Sequence, residues 1–173
     1  MSTLREDIYV NCPPAQAHLH IDAFFREHTA PAHDLAEGSI RLTLRVPLRI
    51  PGLKTALTVQ RGTIATIKRV HAGPSSSDTL SVTWEALGGG PFPRFAGTIS
   101  VRGDEDYDSF RLMLEGMYAP PLGVAGNAFD SVIGRWLAIA TARDLLGRMR
   151  DSIETSYRQL EAEKAARVHA GLA

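Results

Sequence analysis

The chain has 173 residues, the length of one ordinary domain, and a chain of that size buries roughly 70% of its unfolded surface without a metal or disulfide staple. Hydrophobic residues make up 44% and charged residues 22%, and 19 basic residues cancel 19 acidic ones, so no net charge draws the chain toward nucleic acid or anionic lipid. Residues 1–10 lack the layout of a signal peptide, and no apolar run approaches the roughly 18 residues of a membrane-spanning helix.

Ile8-Tyr9-Val10 reads as a short strand. Cys12 follows it, and as the only cysteine it excludes an internal disulfide and fits a reducing cytoplasm. Its expected role is that of a small buried hydrophobe. Pro13-Pro14 ends the strand and suits the first turn of a helix. Ala15 to Glu27 is then predicted to be helical, with Leu19, Ile21, Phe24 and Phe25 on its apolar side.

Ser39 to Val46 alternates between Ile40, Leu42, Leu44 and Val46 on one face and Arg41, Thr43 and Arg45 on the other. That is a strand with one buried face. Pro47, Pro51 and Gly52 are expected to interrupt it. Ala56 to Val70, rich in Thr, Val and Ile, is a long strand in which Gly62 predicts a bulge or bend. After a turn containing Gly73-Pro74 and three serines, Thr79 to Ala86 sets Leu80, Val82 and Trp84 against Ser81, Thr83 and Glu85. Phe95 to Val101 and Ser109 to Tyr118 are two further strands, joined by the acidic turn Gly103 to Asp106.

Gly126 to Ala166 carries one helical pattern without proline. Its apolar residues are Phe129, Val132, Ile133, Trp136, Leu137, Ala140, Leu145, Met149, Ile153, Tyr157 and Leu160, the spacing of a single buried stripe. Asn127 with Asp130 three residues on resembles a capping box. Such a helix far exceeds a strand of about 20 Å, so its charged far end, Glu161 to Arg167, is predicted to overhang the sheet, within a charged extension that runs from Tyr157 onward. The order of strand, helix, five strands and long helix makes an α+β layout with an antiparallel sheet.

No chemical motif stands out. Among the six histidines, His18 and His20 point to different sides of a helix and His28 and His33 straddle Pro31, so no zinc set is expected and surface positions are. Gly88-Gly89-Gly90 lacks the lysine of a phosphate loop, and the acidic turn lacks EF-hand spacing. No cofactor and no metal are implied. Arg41, Arg45 and Arg111 are expected on a solvated outer face balanced by Glu85 and Glu115. Arg61 shares strand parity with Leu57, Val59 and Ile67, which would turn it inward, where it would need a carboxylate or a ligand anion.

With that order, Phe92-Pro93-Arg94-Phe95-Ala96-Gly97 and Gly116-Met117-Tyr118-Ala119-Pro120-Pro121-Leu122-Gly123 resemble the START-like superfamily, which includes proteins of the birch-pollen-allergen and polyketide cyclase kinds. The resemblance covers essentially the whole chain as one domain, 1–173, and rests on topology more than on catalytic motifs. It implies a helix-grip fold, a curved antiparallel sheet wrapped around the C-terminal helix with an apolar cavity between them. The fold commonly has two short helices after its first strand; Ala32 to Glu37 would supply the second.

The implied cavity would be lined by Trp84, Phe95, Leu112, Leu114, Tyr118, Phe129, Ile133, Trp136 and Leu137, with Arg61 as a polar group. The expected partner is a small apolar or amphipathic molecule, lipid-like or polyketide-like. A cyclase or aromatase would add proton-transfer groups, for which Tyr118, Arg61 and Asp22 are the candidates. A protein partner, or self-association, would use the helix extension beyond Tyr157.

Overall fold

The computed structural model describes residues 2–28, 39–48, 57–70, 79–86, 94–119 and 129–171, with side chains for 2–28, 66, 79–85, 94–119, 135–169 and 171. Six strands form one antiparallel sheet: β1 (Ser2–Val10), β2 (Ser39–Leu48), β3 (Leu57–Val70), β4 (Thr79–Ala86), β5 (Arg94–Gly103) and β6 (Phe110–Ala119). Their order across the sheet is β1-β6-β5-β4-β3-β2. Helix α1 (Ala17–His28) follows a single 3-10 turn at Pro14–Gln16, and α2 (Phe129–Gly171) ends the described chain.

Period-two burial sets the inner face. On β6, Phe110, Leu112, Leu114 and Tyr118 are buried while Arg111, Glu115 and Met117 face water; on β4, Leu80, Val82 and Trp84 are buried against exposed Thr83 and Glu85. The outer face carries exposed ion pairs, Arg5–Glu115 at 2.8 Å, Arg111–Asp7 at 3.0 Å and Arg94–Glu85 at 3.8 Å. Arg111 and the two glutamates thus take the solvated role the alternation assigned them. The side chains of Arg41 and Arg45 lie outside the described residues.

Helix α2 is 43 residues long, about 65 Å. Its closest approaches to the sheet are to β1 and β6 at one edge and to β2 at the other. The sheet therefore holds the helix from both edges, and β3, β4 and β5 stand farther from it. The buried face of α2 runs through Leu137, Ala138, Thr141, Ala142, Leu145, Leu146, Met149 and Ile153. The two alanines let the backbone come close where a larger side chain would hold it off. Among the described residues, no helix is long and apolar enough to cross a membrane.

Several expectations need correction. β1 begins at Ser2, six residues before the predicted start, because Leu4, Glu6, Ile8 and Val10 share the inner side and Glu6 hides the alternation. Pro47 continues β2 opposite Thr58; β2 is an edge strand, where a missing N–H costs no ladder bond. Gly62 makes no bulge, since the β2–β3 register is unbroken through Thr43↔Gly62. The buried stripe of α1 is Ala17, His20, Ile21 and Phe24, so Leu19 is exposed and His20 is not a surface residue.

The covered part of α2 extends past Tyr157, which packs on the core beside His20; full exposure begins at residue 162. Asn127, the segment Ala32 to Glu37, and the glycine and serine loops lie outside the described residues.

Candidate functional site

Strand register brings three of the predicted residues into one row. Tyr118 pairs with Phe95, and Phe95 pairs with Trp84, on β6, β5 and β4, the strands at and beside the middle of the sheet. All three are buried. The Trp84 and Phe95 rings stack at 4.0 Å between centroids with 14° between planes. The Phe95 ring then lies along its own strand over Gly97 and Gly116, which are themselves register partners. A Cβ at either glycine would come within 2.6 Å of Phe95 Cζ. The paired glycines thus open a flat bed on the inner face for an aromatic layer.

Polar contacts fix which part of α2 covers this row. Arg143 Nε donates to Glu6 Oε2 at 2.7 Å, and the backbone and side-chain nitrogens of Asn11 donate to Glu154 Oε1 at 2.9 and 3.0 Å. The helix therefore runs in the same direction as β1, and its residues before Arg143 lie toward Ser2, the register partner of Tyr118. Leu137 is buried on that side, and its neighbour Trp136 is 36% exposed.

Leu112 and Leu114 sit deeper and show no exposed surface, so no water-sized space touches them. Phe129 and Ile133 are in α2 and Arg61 is in β3, with side chains outside the described residues. The register does show that position 61 shares strand parity with Ala65, the partner of Trp84. Of the proton-transfer candidates, Tyr118 belongs to the row, whereas Asp22 sits on α1, which packs against α2 near Ser156 and Tyr157.

Two buried polar atoms, one on the sheet and one on α2, lack partners. Trp84 Nε1 is buried without a hydrogen-bond acceptor, and Thr141 Oγ1, on the buried face of α2, is buried without any partner. Neither was foreseen from sequence, where Trp84 and its neighbours read only as apolar.

A second buried polar group was expected at the surface. His20 is 2% exposed at the contact of α1 with α2, its Nδ1 lies 2.9 Å from Ser156 Oγ, and its Nε2 is buried without a partner. Burial, and then the charge of Lys164, hold its pKa below the ordinary histidine value. Cys12 is fully buried nearby on the chain, and desolvation followed by Glu154 and Glu161 pushes its thiol up to about 11. That is the inert packing role expected of it. Among the described residues no group of three or more histidine, cysteine or acidic side chains could hold a metal.

No family model matches the chain, and no curated protein does. Solved structures do. A conserved protein from Geobacillus kaustophilus, 15% identical, matches over 90% of this chain and 97% of its own with a TM-score of 0.53. The protein XoxI from Bacillus cereus, 18% identical, matches over 93% and 99% at 0.51. A START superfamily protein from Mycobacterium smegmatis, 13% identical, aligns over 91% and 98% at 0.49. At such identities the likeness is one of fold. The six-stranded antiparallel sheet, held to a long terminal helix from both edges, gives the chain an α+β helix-grip fold.

Proposed function

We propose that the chain binds a small apolar or amphipathic molecule between the inner face of the sheet and the first part of α2, and acts as a carrier or sensor for it. The observation that carries this reading is the stacked pair Phe95 and Trp84 on β5 and β4, strands that stand back from a helix gripped at the sheet edges, with Tyr118 on β6 continuing the row toward the helix. A helix lying flat on a sheet would approach its middle strands most closely. Here the edges approach and the middle recedes, which is the shape that accommodates a guest. The residues on that recess are large, rigid and apolar, and a few polar atoms among them would fix orientation.

Trp84, Phe95, Tyr118, Trp136 and Leu137 would then contact the ligand, with Phe129, Ile133 and Arg61 completing the wall. Leu112 and Leu114 would support it from beneath. The protein acts by sequestration in this reading, without a covalent step.

Native mass spectrometry of the protein purified from cells tests this directly. The expected spectrum shows an adduct of small-molecule mass, one per chain, lost on denaturation. Trp84 and Trp136 are the only tryptophans in the sequence and both belong to the site as proposed, so added 1-anilinonaphthalene-8-sulfonate should quench intrinsic fluorescence with single-site saturation. A bare protein mass together with no saturable quenching sinks the reading.

A further inference from the structure

We infer that α1 is an acid-released clasp: protonation of His20 frees this helix from α2 while the sheet and the middle of α2 stay folded, whether or not a ligand is bound.

The geometry at the contact carries this. His20 is 2% exposed where α1 meets α2, with Ser156 Oγ 2.9 Å from its Nδ1 and the Tyr157 ring edge-on at 5.9 Å. A neutral imidazole carries one N–H, and the Ser156 hydroxyl can donate to Nδ1 or accept from it. The imidazolium carries two N–H groups. Its second, at Nε2, is a buried charged donor without an acceptor, since Nε2 has no partner among the described residues. Gln16 Oε1, four positions earlier, is buried and unpartnered as well, so it does not reach Nε2. Burying an unpaired charge costs far more than burying a neutral ring, and the ring is relieved by reaching water.

The surroundings offer no countercharge. One turn away on α1 and the turn before it stand Gln16, Ala17, Ala23 and Phe24, none of them charged. From α2, Lys164 adds its cation to burial in holding His20 below the ordinary histidine value. The carboxylates of this stretch of α2 are committed, Glu161 to Lys164 at 2.7 Å and Glu154 to Asn11. Cys12, in the segment before α1, has its thiol pushed up to about 11 and stays neutral at mildly acidic pH. β2 also meets α1; its charged positions are 41 and 45, and register puts 41 in the row of exposed Glu85 on the outer face.

Release is local because the hold of α1 is local. Its buried side chains are Ala17, His20, Ile21 and Phe24, and a helix of 12 residues is marginal once detached. The ties of α2 to Glu6 and Asn11 do not involve α1. The neutral ring belongs to the closed state, so closure is fully favoured above about pH 6.5 and weakens as pH falls from there.

Hydrogen–deuterium exchange of the full chain, read by mass spectrometry on proteolytic peptides and corrected for intrinsic exchange rates, tests this at pH 7.5 and 5.5. At pH 5.5 an opened histidine of ordinary pKa, about 6.5, is protonated about ten to one, so about tenfold is the ceiling on the change in opening. Protection of residues 17–28 is expected to fall severalfold, while residues 145–153 of α2 keep theirs. In His20→Gln, which has no ring to protonate, the fall should shrink to under about twofold.

Equal protection of residues 17–28 at both pH values in the wild type overturns the inference. A fall shared equally by residues 145–153 is global unfolding and overturns it too. So does a fall of undiminished size in His20→Gln, which belongs to another group. The first two outcomes need only the wild type and decide the matter even where the variant does not fold.

Discussion

The aromatic bed on the sheet makes a quantitative demand on Gly97. A Cβ built there would lie 2.6 Å from Phe95 Cζ, 2.7 Å from Gly116 Cα, and closer still to the Glu115 carbonyl oxygen. Ordinary contact begins at 3.4 Å, so Gly97→Ala is about 0.8 Å short against the ring alone. The ring cannot swing away freely, since Trp84 stacks on it at 4.0 Å. The backbone cannot yield without separating β5 from β6. Overpacking of this kind costs about 1–3 kcal/mol, and backbone involvement places it at the upper end. Alanine returns about 0.5–1 kcal/mol by restricting the unfolded chain.

The net loss expected for Gly97→Ala is therefore about 2 kcal/mol. At roughly 2–4 °C per kcal/mol for a chain of this size, the melting temperature should fall by about 4–8 °C. Thermal unfolding followed by near-ultraviolet circular dichroism reads it. In a Phe95→Leu background the ring's share of the clash disappears and the backbone's share stays, so the same substitution should cost less without becoming free. A Gly97→Ala protein as stable as the wild type, or an identical cost in both backgrounds, would refute the picture of a ring bedded on paired glycines.

Three further predictions concern buried groups, the last with an exposed ion pair as its control. His20 has a folded pKa lowered from 6.5 by burial and then by Lys164, so its neutral form is the one the fold prefers. The stability it contributes is present above about pH 6.5 and is lost as pH falls from there toward the lowered folded value; His20→Gln should flatten melting temperature between about pH 7.5 and 5.5, and a wild-type curve parallel to the variant's contradicts this. Cys12, with its thiol raised from 9.0 to about 11, should react at least about 100-fold more slowly with 5,5′-dithiobis(2-nitrobenzoate) in the native protein at pH 8 than in urea; comparable rates would place the thiol outside the core. Arg143→Ala strands the Glu6 carboxylate, whose side chain is only 14% exposed, and should cost about 1–2 kcal/mol in urea unfolding. Arg5→Ala, which breaks the exposed pair with Glu115, should cost under about 0.5 kcal/mol, and equal costs would show that Glu6 gains nothing from its burial.

The parts of the fold that could be read from sequence are those whose signal is local. Thr79–Ala86 was predicted to the residue because three apolar side chains alternate with polar ones inside eight positions. α2 was legible because its stripe repeats over many turns. β1 was half missed, since Arg5, Glu6 and Asp7 interrupt the apolar pattern, and Glu6 faces inward only because Arg143 meets it from 137 positions away. The burial of His20 has the same origin: Ser156, 136 positions on, supplies its partner. The predicted site residues were legible as apolar and no further. That Tyr118, Phe95 and Trp84 form a row is a property of register between three strands, and that Trp84 Nε1 and Thr141 Oγ1 go unpartnered is a property of what surrounds them. Neither is written in any local window.

The same distribution of contacts explains how one helix could both hold the fold and admit a ligand. Among the described residues, the polar ties from α2 to the rest of the molecule include Arg143 to Glu6, Glu154 to Asn11 and Ser156 to His20. All three lie at or beyond Arg143, alongside the densest apolar packing, from Leu145 to Ile153. Before Arg143, the described buried side chains of α2 are Leu137, Ala138, Thr141 and Ala142, apolar but for one hydroxyl. A guest entering there would exchange apolar contact for apolar contact and leave those three ties in place. The favourable ties thus sit where binding would leave them intact.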